Sequence, residues 1–351
     1  MILTDSMLDA AFKFRATEAW NEISDSGIFA AKLSDGTKVY CTVMGNGGTH
    51  HSLGIYIGDK GFSTFLNTLS ANELSPIDAI NLSEEFDCIN CDFMQAKDID
   101  DKVKQVIRDY ANRNSIKIPR KNGWIDFTRF LPYKAQWCIT DERDAFVAEE
   151  ALRAATFFVG EFKMGRCADV DFDPMGEYPT PKGGKPIPLI VADETGTYHI
   201  EETTTPPLYP REYIAPIFDN DILIGKLKSV KKSGRYECRL QNIPLPIKDD
   251  NQETSFIPNV FVIVDDTNDS VVMPLTTCDY PDDVQMLLTK LANHLCSFDI
   301  NPKQITVNDD KTYNLIKDFC HKCDIKLKKE KRMPKLDETC MMLVQQMMCL
   351  V

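Results

Sequence analysis

The apolar residues of this chain change period several times, and each change predicts an element. Leu8, Phe12, Ala16 and Trp20, with Ala11 beside them, fall at helical spacing behind Thr4, Asp5 and Ser6, residue types that cap a helix N-terminus. The stretches Ile28 to Leu33, Lys38 to Met44 and Ser52 to Ile57 are instead rich in β-branched and aromatic residues, punctuated by Asp35-Gly36 and Gly45-Asn46-Gly47-Gly48. They predict three strands of an antiparallel meander. Phe62, Phe65, Leu66 and Leu69 predict a second helix, Phe86 to Phe93 a further strand, and Val103, Val106, Ile107 and Tyr110 a third helix. Ser115 to Trp137 shows no clear period and is expected to be irregular. Val147, Ala148, Ala151, Leu152 and Ala155 then predict a helix opened by Thr140 and Asp141.

From Gly165 to Pro188 glycine and proline recur without any apolar period, which predicts a linker. The expected organisation is an α+β domain over 1–164, the linker over 165–188 and a second domain over 189–351. In the latter, Leu189 to Ala192 and Tyr198 to Glu201 flank Glu194-Thr195-Gly196 as a hairpin, and Ile222 to Val230 and Tyr236 to Gln241 add strand or helix-end character. A core over 258–351 is clearer. Strand Val260 to Val264, a turn at Asp265 to Asp269 and strand Val271 to Thr276 precede a helix carrying Val284, Leu287, Leu288, Leu291 and Leu295. Strand Gln304 to Val307, helix Thr312 to Cys323, strand Ile325 to Lys329 and a last helix from Leu336 follow. The order ββαβαβα implies an α/β layer with some parallel pairing, in a chain of α+β class.

The bulk properties narrow the partners. A net charge of -13 and a pI near 4.9 oppose general attraction to phosphate backbones or anionic membranes. The first ten residues lack the basic region of a signal peptide, and the apolar runs fall far short of the roughly 20 residues a bilayer requires. A soluble, cytoplasmic protein with no membrane partner is expected. Twelve cysteines scattered through a chain of this size read as reduced, mostly buried thiols rather than a disulfide scaffold.

Several motifs suggest chemistry, and each has a plainer reading. Cys88/Cys91 and Cys320/Cys323 have zinc-knuckle spacing, but the second pair extends the helical stripe of Leu315, Ile316 and Phe319, which favours buried thiols. Asp169, Asp171 and Asp173 open like a calcium loop, yet Pro174 and Thr180 stand where the turn glycine and the bidentate glutamate belong. Gly45 to Gly48 resembles a phosphate cradle but precedes a strand, so it reads as a hairpin loop, with His50 and His51 at its exit as candidate ligands that no other feature of the sequence supports. Basic residues from Arg113 to Lys134 interleave with Trp124, Phe127, Phe130 and Tyr133, and a second basic tract runs from Lys326 to Lys335. Both fit a nucleic-acid surface, against the acidic balance of the whole.

One constellation is sharper. Asp265 and Asp266 end a strand, Asp309 follows Gln304 to Val307, and Asp337 or Glu338 begins the last helix. The arrangement looks like an RNase H-like fold, in which carboxylates from the first strand, a later strand and the last helix hold two divalent metals for phosphoryl transfer. Asp265, Asp309 and Asp337 are therefore the candidate metal ligands. Helix capping and turn chemistry explain the same residues, and only two of the three antiparallel strands expected before the first helix are recognisable. The last helix is apolar nearly all round from Cys340, so either its own domain covers it or it forms a homodimer contact.

The chain also resembles a bacterial two-domain family of unknown function. The resemblance rests on Gly27-Ile28-Phe29, Tyr40 to Gly45, Leu53 to Gly58 and Cys88 to Phe93 in the first half. In the second half it rests on Pro258 to Val264, Asn301 to Val307, Asp324 to Leu327 and Met333 to Glu338. It implies no activity and no cofactor. The function expected is that of a binding or adaptor protein for a protein partner or small ligand, without catalysis. The alternative is a divalent-metal phosphoryl-transfer enzyme, active or degenerate, built on the C-terminal carboxylates.

Overall fold

The structure, a computed structural model, describes all residues except 70–73, 84, 168, 248–254, 267–276 and 350–351. In chain order its helices are α1 (Asp5–Ala16), α2 (Gly58–Leu69), α3 (Pro76–Ser83), α4 (Asp101–Arg113), α5 (Glu142–Lys163), α6 (Asp221–Ser229), α7 (Val284–Ser297), α8 (Asp310–Lys322) and α9 (Pro334–Met348). Its strands are β1 (Phe29–Lys32), β2 (Lys38–Met44), β3 (His51–Ile57), β4 (Cys88–Met94), β5 (Trp124–Phe130), β6 (Trp137–Cys138) and β7 (Pro186–Ala192). They continue with β8 (Tyr198–Thr204), β9 (Lys232–Asn242), β10 (Pro258–Asp265), β11 (Thr277–Asp279), β12 (Asn301–Val307) and β13 (Lys326–Lys329). The chain is α+β and divides into two compact units. The first comprises Met1–Ser70, Phe86–Pro132 and Gln136–Tyr209, and the second Ala71–Glu85, Tyr133–Ala135 and Pro210–Val351.

The first unit is built on one sheet of order β6-β5-β4-β3-β2-β1-β7-β8. Every neighbouring pair is antiparallel except β1 and β7. On one face Phe29, Val39, Cys41, Leu53, Ile89, Cys91 and Phe127 pack against α1, α4 and α5. On the other, Tyr40, Tyr56 and Cys88 meet Phe62, Phe65 and Leu66 of α2. Burial on both faces explains why these strands read as nearly continuous apolar runs.

Two expectations differ from the structure here. The stretch from Ser115 to Trp137 was expected to be irregular but contains β5, whose Ile125 and Phe127 bury beneath the helices. Its aromatic residues are thus largely core, and Arg129 is an internal anchor whose guanidinium donates to Asp87 at 2.7 Å and Asp144 at 3.1 Å. The 165–188 stretch and the hairpin after it lie in the first unit, where β7 runs parallel to β1 with Ala30 opposite Leu189. Ile187 and Ile190 enter the cores on opposite faces of the sheet, so burial assigns the hairpin where proline and glycine content suggested a boundary.

The second unit carries a sheet of order β11-β10-β9-β12-β13. β9, β10 and β11 are antiparallel, whereas β12 lies parallel to β9 and β13 parallel to β12. The expected strand Val271 to Thr276 lies outside the described residues. β9, read from sequence only as ambiguous strand or helix end, comes before β10, so three antiparallel strands precede α7 after all. Tyr236, Cys238, Leu240, Phe261 and Ile263 face α6, α7 and α8, and Val260, Val262 and Val264 face α3 and α9. Leu336, Cys340 and Val344 of α9 are buried in that second layer, so this stripe is covered within the unit, while Met342 and Met348 are exposed. No helix among the described residues is long and apolar enough to cross a membrane.

Candidate functional site

Alternation along β4 and β5 creates the site in the first unit. Ile89, Cys91, Phe93, Ile125 and Phe127 point to the helices, which turns Asn90, Asp92, Asp126 and Thr128 to the opposite face. There Ser52, Asp92 and Asp126 lie side by side across β3, β4 and β5, and Gly54, Asn90 and Thr128 form the next row. A Cβ on Gly54 would stand 2.8 Å from Thr42 Oγ1, so glycine keeps this face tightly paired. Asn90, Asp92, Asp126 and Thr128 floor a cleft of about 810 Å³, rimmed by His50, Asn122, Lys121 and Gln136.

The rim is held in place by specific contacts. Arg15 Nε donates to the Asn122 carbonyl at 2.6 Å, and the Asn122 amide lies 2.8 Å from His51 Nδ1. His51 in turn packs edge-on against Trp20, with ring centroids 4.8 Å apart, and burial together with Lys121 and Arg15 lowers its pKa. His50 and Asn122 both adopt the left-handed backbone region, at φ 50° and 51°, a conformation that costs energy in non-glycine residues and concentrates at ligand sites.

Burial pushes the Asp92 carboxyl up to about 6; the Ser52 hydroxyl, His50 and Thr128 pull it down, and Asp126 adds to the rise. Burial raises Asp126 too. Among the described residues neither carboxylate forms an ion pair. The raised value has a consequence for stability. The folded chain keeps the Asp92 proton to about pH 6, whereas the unfolded chain releases it near 3.8. Stability is therefore lost as pH rises between those values, by about 2 kcal/mol once the cleft's opening to water is allowed for. Asp92→Asn is expected to stabilise the protein by about that amount at pH 8 and to change little near pH 4. Urea denaturation at the two pH values measures this, and a variant weakened at pH 8 contradicts it.

The C-terminal carboxylates occupy a different environment. Asp309 caps α8, accepting from the Thr312 backbone and hydroxyl at 2.7 Å each. Asp337, on the first turn of α9, accepts from Arg239 at 3.0 Å and from Asn308 at 3.1 Å. Arg239, on β9 and 1% exposed, also binds Asp78 of α3 and feels the charge of Asp309. Asp265 sits farther along, opposite Tyr236, whereas the β10 partner of Arg239 is Val262. The fold thus gathers Asp309 and Asp337 around a guanidinium and leaves Asp265 at the strand end. Among the described residues no group of three or more His, Cys, Asp or Glu side chains is placed to hold a metal ion.

The other motifs resolve locally. Cys88 and Cys91 point to opposite faces of β4 and cannot share a ligand, and burial pushes the Cys88 thiol up to about 12. Cys320 is buried in α8, and burial pushes Cys323 at its end to about 11. Gly45 to Gly48 closes a turn, Gly48 N to Gly45 O at 2.8 Å, ahead of β3. Asp169 and Asp171 line a hollow with Glu202, while Asp173 caps the turn at Met175. In the basic tract Lys328 pairs with Glu330 and Lys329 with Asp310.

Asp92 and Asp126 were not singled out by the sequence reading, although His50 and His51 were. The available signal was an acid at alternate positions of strands otherwise apolar on both faces, as in Cys88-Ile-Asn-Cys-Asp-Phe and Trp124-Ile-Asp-Phe-Thr.

A mixed-sheet first unit with a polar cleft and a second unit with a buried arginine node define a two-domain α+β protein. Residues 5–175 match the domain of unknown function DUF7309, and residues 223–344 match the domain of unknown function DUF6930. Two domain models of unknown function thus cover most of the chain, consistent with the two-domain organisation that the sequence resemblance implied. No curated protein and no solved structure matches it.

Proposed function

We propose that this is a cytoplasmic, bacterial, non-enzymatic binding protein whose first unit holds a small polar ligand in the cleft above Asp92 and Asp126. The observation that carries the reading is the cleft itself. It has a volume typical of small-molecule sites and a floor of two half-buried carboxylates without ion-pair partners, beside amide and hydroxyl groups. Such a floor costs stability, which a ligand can offset. The free, mostly buried thiols support a reducing compartment.

Phosphoryl transfer by the second unit is the runner-up. Its element order favours it, as do three buried atoms near Asp337 that have no hydrogen-bond partner: Arg239 Nε, Glu237 Oε2 and Asn308 Oδ1. The Arg239 guanidinium, however, already pairs with Asp337 and acts on Asp309, two of the three carboxylates a metal would need, which supports a degenerate form. Blocking the cleft tests the main reading. Asn90→Trp, checked for folding by circular dichroism, is expected to abolish the thermal shifts that a panel of sugars, amines, amino acids and nucleosides produces in the parent protein. Shifts that survive unchanged in the variant, or a parent protein that responds to no class, remove it.

A further inference from the structure

We infer that the group recognised in this cleft is an organic ammonium, held between the side chains of Asp92 and Asp126. The inference rests on the cleft being a ligand site. Asp92 and Asp126 are direct partners across β4 and β5 and share one face of the sheet, an arrangement in which like charges repel unless a countercharge lies between them. The chain supplies little of that charge. Among the described residues no Lys or Arg pairs with either acid, Lys121 stands at the rim, and His50 is exposed on the β2–β3 loop.

Three occupants can balance two half-buried carboxylates that face each other: a proton, a metal ion or a ligand cation. A proton balances Asp92 only below about pH 6. A metal ion takes six or more donors in these oxygen-rich sites, and among the described residues no group of three or more His, Cys, Asp or Glu side chains is placed to supply them. An ammonium has three N–H donors and no rigid coordination shell, so two carboxylates and a neighbouring amide such as Asn90 satisfy it. Met94, Gln95, Phe130 and Gln136 line the space beside them, and offer the body of the molecule both apolar and polar contacts.

The pH dependence follows from the groups that face Asp92. They are Asp126 and Thr128 from β5, Ser52 from β3 and His50 from the loop, with Lys121 and Asp98 at the rim. Ammonium binding needs both acids ionised, so affinity is expected to fall about tenfold between pH 8 and pH 5 while the amine stays protonated.

Thermal shift and calorimetry on the full chain test this with four probes: 1,4-diaminobutane, Nα-acetyl-lysine amide, glucose and magnesium chloride. The expected result is a shift with one or both amines at pH 8, weakened at pH 5 and lost in Asp126→Asn, a variant whose own melting point should equal or exceed the parent's. A stronger response to diaminobutane identifies a free amine, and to the lysine probe the side chain of a peptide. If glucose or magnesium acts as well as the amines and Asn90→Trp abolishes the effect, the cleft remains a ligand site and the ammonium inference falls. If no probe acts and the broader panel also fails, both readings fall together.

Discussion

Arg239→Ala is expected to destabilise the second unit by about 3–5 kcal/mol, because it removes the buried guanidinium that pairs with Asp78 and Asp337 and leaves both acids in place. The guanidinium donates to Asp78 on α3 and Asp337 on α9, and so joins two helices to β9 through one side chain. Both carboxylates retain some contact with water, which places the loss nearer the lower figure. The lost aliphatic stem adds a packing deficit in a side chain that is 1% exposed. The chain permits a clean measurement: Trp20, Trp124 and Trp137 all lie in the first unit, whereas both units contribute to far-UV circular dichroism. In urea the variant should show an early transition by dichroism that tryptophan fluorescence does not share. Arg239→Met combined with Asp78→Asn and Asp337→Asn should recover much of the loss, since no unpaired charge is then buried. A loss under about 1 kcal/mol for the alanine variant would show that the node is not a stabilising hub.

The arginine node and the cleft show where sequence reasoning reaches and where it stops. Helices α1, α5 and α8 were legible because capping residues and apolar stripes agree at each, as with Asp141 accepting from the Arg143 and Asp144 backbones. The meander β1 to β3 was legible from its turns. β5 was hidden because its alternation coincides with basic and aromatic residues that also suit a nucleic-acid surface. The placement of the β7–β8 hairpin was hidden for a different reason: parallel pairing with β1 joins residues about 160 positions apart, and no local pattern records it.

Functional residues are harder still, since the same residue type serves both purposes. Asp309 and Asp337 stood out in sequence because they sit at helix starts, and the structure gives Asp309 that capping role and Asp337 to Arg239. Asp92 and Asp126 occupy strand interiors, where propensity disfavours them and where nothing local marks them as partners. Their meaning comes from register: Asp92 opposite Asp126 and opposite Ser52. The residues most expensive to place are therefore the ones the proposed site rests on, and the pairing that reveals them is a property of the sheet.

Lys311 carries the same lesson into a structural role, and its replacement is the second large effect expected. A lysine in the first turn of α8 opposes the helix dipole, which favours a solvated position for its charge. In the fold it is 4% exposed. Its ammonium donates to the side-chain oxygens of Asn242 at 2.6 Å and Asn259 at 2.8 Å, a facing pair on β9 and β10. It also lies over the rings of Tyr133 and Tyr280, 5.1 and 5.3 Å from their centroids. Lys311→Met keeps the stem but removes the donor from two buried amide oxygens, at an expected cost of about 2–4 kcal/mol. Because the cost is mainly that of stranded acceptors, Asn259→Leu should be less harmful in the methionine background than in the parent, with a coupling of about 1 kcal/mol or more. Strict additivity in that double-mutant cycle would mean that the lysine acts through packing alone, and that its charge is incidental to the cohesion of β9, β10 and α8.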